Sequence, residues 1–158
     1  LTDSHDKAKK YAFKLLSYRG RSEKEINERI IKKGMSKAVA SSTVTYLKHL
    51  GLIDDKSLAE SLKREALSRK FLSQKGASLF LHHRGVPREI IDEVLDYDES
   101  VDLCTARRLL HKSMRPLRDT SSLKARRRLY GLLARRGYSP DTIKKVLKET
   151  ILYEEDLK

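Results

Sequence analysis

The sequence predicts an all-α protein built from three tandem three-helix repeats, and three observations carry that expectation. Glycines 34, 85 and 137 recur at intervals of 51 and 52 residues. Around each of them an apolar residue stands four positions before (Ile30, Leu81, Leu133), one after (Met35, Val86, Tyr138) and ten after (Val44, Leu95, Leu147). Apolar residues elsewhere recur at three and four spacing, while only 7 Gly and 3 Pro interrupt 158 positions, which is the pattern of helices and not of strands. A unit of about fifty residues cannot bury its own apolar stripe, so such units stack and offer long surfaces to a partner. The boundaries expected are residues 6–54, 55–97 and 98–150, followed by a tail at 151–158.

The elements follow in order. Lys7 to Leu16 places Tyr11, Ala12, Leu15 and Leu16 on one helical face, and the loop from Ser17 to Arg21 follows. Ser22 with Glu25 three positions on matches a capping box and opens a second helix to Lys33, which Gly34 ends. Ser36 caps a third helix bearing Val39, Val44, Leu47 and Leu50. Asp54-Asp55 then supplies an acidic start to the second repeat, whose first helix spans about Lys56 to Phe71. A break at Ser73 to Gly76 is expected, then a short helix through Leu79, Phe80 and Leu81, and Pro87 in the first turn of the next. The third repeat begins near Asp98 and runs to about Ser113, is interrupted by Pro116 and residues 119–122, and is completed by helices near Ser122–Arg136 and Pro140–Thr150. Tyr153 to Lys158 reads as frayed.

Composition narrows the function. Lys and Arg outnumber Asp and Glu by 35 to 22, a balance that favours a polyanionic partner. The single Cys104 cannot form an internal disulfide, and its neighbours Leu103 and Ala106 make it a core residue. No apolar window approaches a membrane span or a signal peptide, and the opening Leu1 reads as a trimmed start, so a soluble cytoplasmic protein is expected.

The charge is uneven. Residues 104–148 hold 14 basic and 2 acidic side chains, whereas residues 1–103 hold 20 and 16. At about 100° per residue, Ala125, Leu129, Leu132 and Leu133 share one face, and Lys124, Arg127, Arg128 and Arg135 line the opposite one around Gly131. Arg107, Arg108 and Lys112 on the preceding helix and Lys144, Lys145 and Lys148 on the following one widen the strip. A solvated face is one reading of it. The abundance of Arg, whose planar fork suits phosphate, and the scarcity of acids favour a phosphate-binding surface. Upstream, Glu89, Asp92, Glu93, Asp96, Asp98, Glu99 and Asp102 have no Lys or Arg among them. They read either as acidic helix starts and a solvated linker, or as a contact for a basic surface, including the neighbouring arginines.

Catalytic signatures are absent from the sequence. His82, His83, His111 and Cys104 lack metal-ligand spacing, no phosphate loop or nucleophile elbow is present, and Asp54-Asp55 is placed to cap a helix. No catalytic residue, metal or cofactor is expected. A winged-helix DNA reader is an alternative, since Ser36 to Ile53 reads like a recognition helix leading toward a wing; no strand pair follows it, however, and base-reading side chains do not recur at matching offsets.

Tyr11-Ala12, Leu15-Leu16-Ser17, Arg19, Arg21-Ser22, Glu25, Gly34, Leu47, Leu50-Gly51-Leu52-Ile53-Asp54-Asp55, Leu58-Ala59, Gly76, Leu81, Arg84-Gly85-Val86 and Ile90 together resemble the RecX family of bacterial recombinase regulators. The closing Leu133, Arg135-Arg136-Gly137-Tyr138, Ile143, Val146 and Leu147 is similar to that family's third repeat, so the likeness covers about residues 7 to 149. Ala77-Ser78-Leu79-Phe80-Leu81, where relatives tend to be more basic, and His82-His83 are departures from the pattern. The resemblance implies three tandem three-helix units in an extended, curved molecule. It also implies binding along the groove of the RecA filament on single-stranded DNA, and negative regulation of filament growth, strand exchange, ATPase and coprotease activity. A monomer without catalytic residues is the corresponding expectation. Tyr138, in the slot of Met35 and Val86, is expected to pack and not to stack on bases.

Overall fold

The computed structural model describes residues 2–114 and 122–155, the side chains of residues 2 and 151–155 excepted. Among the described residues there are nine α-helices and no strand: α1 Thr2–Tyr18, α2 Glu23–Lys32, α3 Lys37–His49, α4 Asp55–Arg64, α5 Gln74–His83, α6 Arg88–Val94, α7 Glu99–Met114, α8 Ser122–Arg135 and α9 Pro140–Glu155. The all-α repeat expectation holds. Two compact units divide the chain, one comprising residues up to Leu62 with Phe80–Val94, the other Lys63–Leu79 with everything from Leu95 onward.

In the first unit, Ala8, Ala12 and Leu15 of α1, Ile26 and Ile30 of α2, and Val39, Ala40, Val44 and Leu47 of α3 close a core with Ile53. Small alanines on α1 let it approach α3 closely, and Ile30 and Leu47 are fully buried. The expected capping box forms only in part. Ser22 Oγ accepts the Glu25 amide at 3.1 Å. The Glu25 carboxylate is instead held by Arg19 at 2.6 Å and by Arg21, whose Nε donates to the Leu15 carbonyl at 3.1 Å. The Arg-x-Arg-Ser-x-x-Glu run is thus a clamp between the end of α1 and the start of α2.

One joint is built twice, once inside each unit. In the first, the α2 amide of Glu23 donates to the buried carboxylate of Asp55 at 3.0 Å, and Arg84 Nη2 donates to the Gly20 carbonyl at 3.0 Å. Gly85 lies so close to the cap that a Cβ there would stand 2.4 Å from Ser22 Oγ. In the second, the α5 amide of Gln74 donates to the buried carboxylate of Asp102 at 2.8 Å, and the Arg136 guanidinium donates to the Lys70 carbonyl. A Cβ at Gly137 would stand 2.8 Å from Ser73 Oγ. A helix N-terminus with orphan amides is therefore completed by a carboxylate from the segment after it, and sealed by a glycine turn further on.

The remaining differences from expectation have local causes. The expected break at 73–76 lies three residues earlier, at 70–73: α5 starts at Gln74 because Ser73 Oγ caps the Gly76 amide at 3.0 Å. Gly76 is required there by proximity, since a Cβ would meet the Arg136 carbonyl at 2.6 Å. The long helix expected over 56–71 ends as α4 and a π-helical turn, Glu65–Arg69, after which Phe71 adopts a left-handed φ of 51°. α1 begins five residues earlier than Lys7, and α9 continues through Glu155 where fraying was expected. The expected interruption at Pro116 and 119–121, and the last residues 156–158, lie outside the described residues. Cys104 is exposed, not core. Leu103, Ala106 and Leu110 set the buried arc of α7, and a residue one position from Leu103 points about 100° further round, away from it.

Two measurements check the joint. Gly34 and Gly85 share positive φ, 95° and 80°, but a Cβ at Gly34 meets nothing within 4 Å. Gly34→Ala therefore carries backbone strain alone, about 1–2 kcal/mol, while Gly85→Ala adds the collision with Ser22 and costs about 1–3 kcal/mol more in urea unfolding. Equal losses would contradict the joint.

Burial raises Asp102 above the ordinary carboxylate value, against the opposing Gln74 amide. A raised folded-state value means that its ionisation opposes folding, a cost absent below the unfolded value and developed as pH rises through the folded one. Asp102→Asn keeps an accepting oxygen and is expected to gain stability over the native chain as pH rises above about 4, the ordinary carboxylate value, and to keep that gain at higher pH. Asp102→Ala loses the cap and about 1–2 kcal/mol.

Candidate nucleic-acid interface

The surface of interest belongs to the second unit, where α7, α8 and α9 enclose Leu103, Ala106, Leu109, Leu110, Leu129, Leu133, Tyr138, Ile143, Val146 and Leu147. Leu129 and Leu133, one turn apart, pin α8 to this core, and the arc between them and the far side is left to solvent. Ser139 Oγ caps α9 through the Thr142 amide at 3.1 Å. Tyr138 packs, as expected: its ring is buried, its hydroxyl donates to the Phe71 carbonyl at 2.8 Å, and burial pushes the phenol well above its ordinary value.

The ten cations expected at the site are all exposed, and they divide into three sets. Lys124, Arg127, Arg128 and Arg135 share the outer face of α8, with no acidic partner among the described residues and no Asp or Glu anywhere in the helix. Gly131 opens the row at its centre, where Arg135 folds back so that a Cβ would stand 3.2 Å from its Nη1. Lys144 and Lys148, one turn apart on α9, lie opposite Ile143, Val146 and Leu147 and likewise have no acidic partner among the described residues.

The second set is committed to carboxylates. Arg107 makes two parallel hydrogen bonds to Glu149, 2.8 and 3.0 Å, tying α7 to α9, and this pairing holds the Glu149 carboxyl below its ordinary value. Lys145 faces Glu99 at 3.8 Å. The third set flanks an aromatic ring: Arg108 and Lys112 stand 5.6 and 5.3 Å from the centroid of Phe71. Sequence reasoning missed Arg126, exposed on α8 about 100° round from Arg127 and away from Lys124, Arg128 and Arg135, because its position borders the apolar arc.

The acidic run is largely used locally. Asp102 caps α5, Asp98 accepts the Ser100 amide at 2.8 Å, Glu99 faces Lys145, Glu93 pairs with Lys56 at 2.5 Å and Asp92 with Arg88 at 3.7 Å. Asp54 likewise caps its helix through the Ser57 amide at 3.1 Å. No group of three or more potential metal ligands occurs among the described residues, and no described helix is long and apolar enough to cross a membrane. The arrangement can therefore present fixed positive charge to phosphates.

Comparison with known proteins agrees with the repeat pattern. Residues 8–47 match the model of the first three-helix domain of RecX, and residues 101–147 that of the third. The regulatory protein RecX of Mycobacterium sp. (strain JLS) is 34% identical over 142 residues, covering 85% of this chain and 76% of that one. The RecX of Chlorobium phaeobacteroides (strain BS1) is 33% identical over 151 residues, covering 94% and 97%. The crystal structure of RecX from Lactobacillus salivarius matches with a TM-score of 0.77 at 25% identity, covering 96% of this chain and 99% of that one. The chain belongs to the RecX family of regulatory proteins.

Proposed function

We propose that this chain is a negative regulator of bacterial homologous recombination that binds the RecA filament on single-stranded DNA, in the cytoplasm and as a monomer. By binding it limits filament growth, ATP hydrolysis, strand exchange and coprotease activity, without catalysis of its own. One observation carries the reading beyond family membership: α8 offers Lys124, Arg127, Arg128 and Arg135 on one exposed face free of carboxylates. Such a row suits a regular array of phosphates, each contact releasing counterions. Lys144 and Lys148 supply further charge, and contacts to more than one protomer would add affinity without any single strong one.

Inhibition then needs no chemistry. A ligand that binds one state of a polymer better than another shifts the assembly equilibrium by the difference in affinity. A plain basic DNA binder would hold naked single strands as tightly as the filament; a filament regulator prefers the filament and depresses its ATPase below stoichiometric amounts.

Charge reversal of Arg127, Arg128 and Arg135 to Glu is expected to weaken filament association more than about ten-fold at low salt while far-ultraviolet circular dichroism is unchanged. With about five phosphates neutralised, log affinity for single strands falls with log salt at a slope of about −3.5, and the triple variant is shallower by about 2. Recombinase ATPase titrated at two ionic strengths reads the consequence. Full inhibition by the triple variant would sink the α8 surface as the contact.

A further inference from the structure

α8 carries a second exposed stripe that phosphate binding does not use. Leu123, Tyr130 and Ala134 follow one another along the helix, all exposed, with Leu123 at 59% and Tyr130 at 38% of full accessibility. At about 100° per residue this apolar line lies about 120° round the helix from the line of Lys124, Arg128 and Arg135. At a side-chain radius of about 5 Å the two lines are roughly 9 Å apart. Arg127 stands between them, and Arg126 borders the apolar line on its other side. Both arginines lie one turn before Tyr130 and so reach the neighbourhood of its ring.

Exposure alone does not single out Tyr130, since Tyr18, Tyr46 and Tyr97 are exposed too; its place on α8 between Arg126 and Arg127 does. Eight residues further on, Tyr138 is buried with its hydroxyl bonded to the Phe71 carbonyl, as a tyrosine serving the core should be. Tyr130 has neither feature among the described residues: its ring reaches solvent from a helix already pinned through Leu129 and Leu133. A protein partner for an apolar stripe would be expected to bring carboxylates for the flanking arginines. A single nucleic-acid strand brings both needs in one ligand, with phosphates along one side and flat π-faces along the other. Unpaired bases alone have faces open to stack, so a duplex does not fit.

We infer that Tyr130 is a base-stacking residue, its ring receiving an unpaired base of a single strand whose phosphates lie on the Lys124–Arg128–Arg135 line, with Arg126 and Arg127 beside the stacked base. This rests on the cationic reading of α8 given above and adds to it the part of the ligand that is not charge. Stacking of this kind tolerates any base, so affinity follows the presence of single strand and not its sequence. Ribose and deoxyribose strands share the chemistry.

The experiment uses the full chain with dT and rU oligomers, because the absence of Trp allows a single reporter. Tyr130→Trp should show fluorescence quenched on adding either oligomer, whereas a preference for one would identify the strand. Tyr130→Ala should weaken oligomer binding about 5- to 100-fold with an unchanged salt slope, and Tyr130→Phe should restore it. Arg128→Ala should do the converse, making the slope shallower by about 0.7. Combined with Tyr130→Trp, it should leave the quench at saturation unchanged. Tyr97→Ala, at an exposed tyrosine among Asp96 and Asp98, serves as the control and should change nothing.

Oligomers bound as tightly by Tyr130→Ala, with no quench in the Tyr130→Trp variant, overturn the stacking role and leave the charge reading standing. Failure of the native chain to bind either oligomer at low salt removes both. Weakened recombinase binding by Tyr130→Ala with oligomer binding intact overturns the inference in favour of a protein contact.

Discussion

Everything else in the structure depends on how the N-terminus of the middle helix of a repeat is completed. An α-helix begins with amides that have no internal acceptor, and burying them unsatisfied costs more than the helix gains from a few apolar contacts. Here the acceptors come from later in the chain. Asp55 completes α2 within the first unit, and Asp102 completes α5 within the second. In each case a serine Oγ caps the same helix and a glycine turn closes over it, in space no Cβ could share. Both carboxylates titrate above the ordinary range because they are buried, so the arrangement places charge where it is uncomfortable in order to satisfy backbone that would be worse off alone.

This joint also sorts the charge of the molecule. Arg84 and Arg136, next to the sealing glycines, are drawn into backbone carbonyls, and Arg19 and Arg21 are drawn onto Glu25. Arg107 and Lys145 bind the acidic side chains of neighbouring helices. Once these structural uses are removed from a strongly basic chain, the α8 face is, among the described residues, a place where four cations stand together on a helix without carboxylates. The proposed function therefore rests less on net charge than on which cations the fold leaves uncommitted.

Much of the architecture is legible in the sequence because glycine and serine mark it. The glycine cadence locates the helix ends, Ser22 and Ser36 cap where expected, and the residue after each repeat glycine predicts that Tyr138 packs. What is not legible depends on contacts between residues distant in sequence. Gly76 looks like a breaker until the Arg136 carbonyl is found against it, and Glu25 looks like half of a capping box until two arginines compete for it. Cys104 falls in the apolar arc only when adjacency, instead of helical angle, assigns it there. At the candidate surface, sequence alone identifies the α8 row, but not that Arg107 and Lys145 are paired or that Arg108 and Lys112 flank Phe71.

The central claim is that the uncommitted face of α8 meets the recombinase filament. Amide hydrogen exchange across the whole chain, with and without filament assembled on single strands, tests it most directly, since it needs no substitution and reads every helix at once. The account predicts new protection concentrated in α8 and the start of α9, with α1 to α3 little changed. Protection gathered on α1 to α3, with α8 exchanging as it does in the free protein, would contradict it.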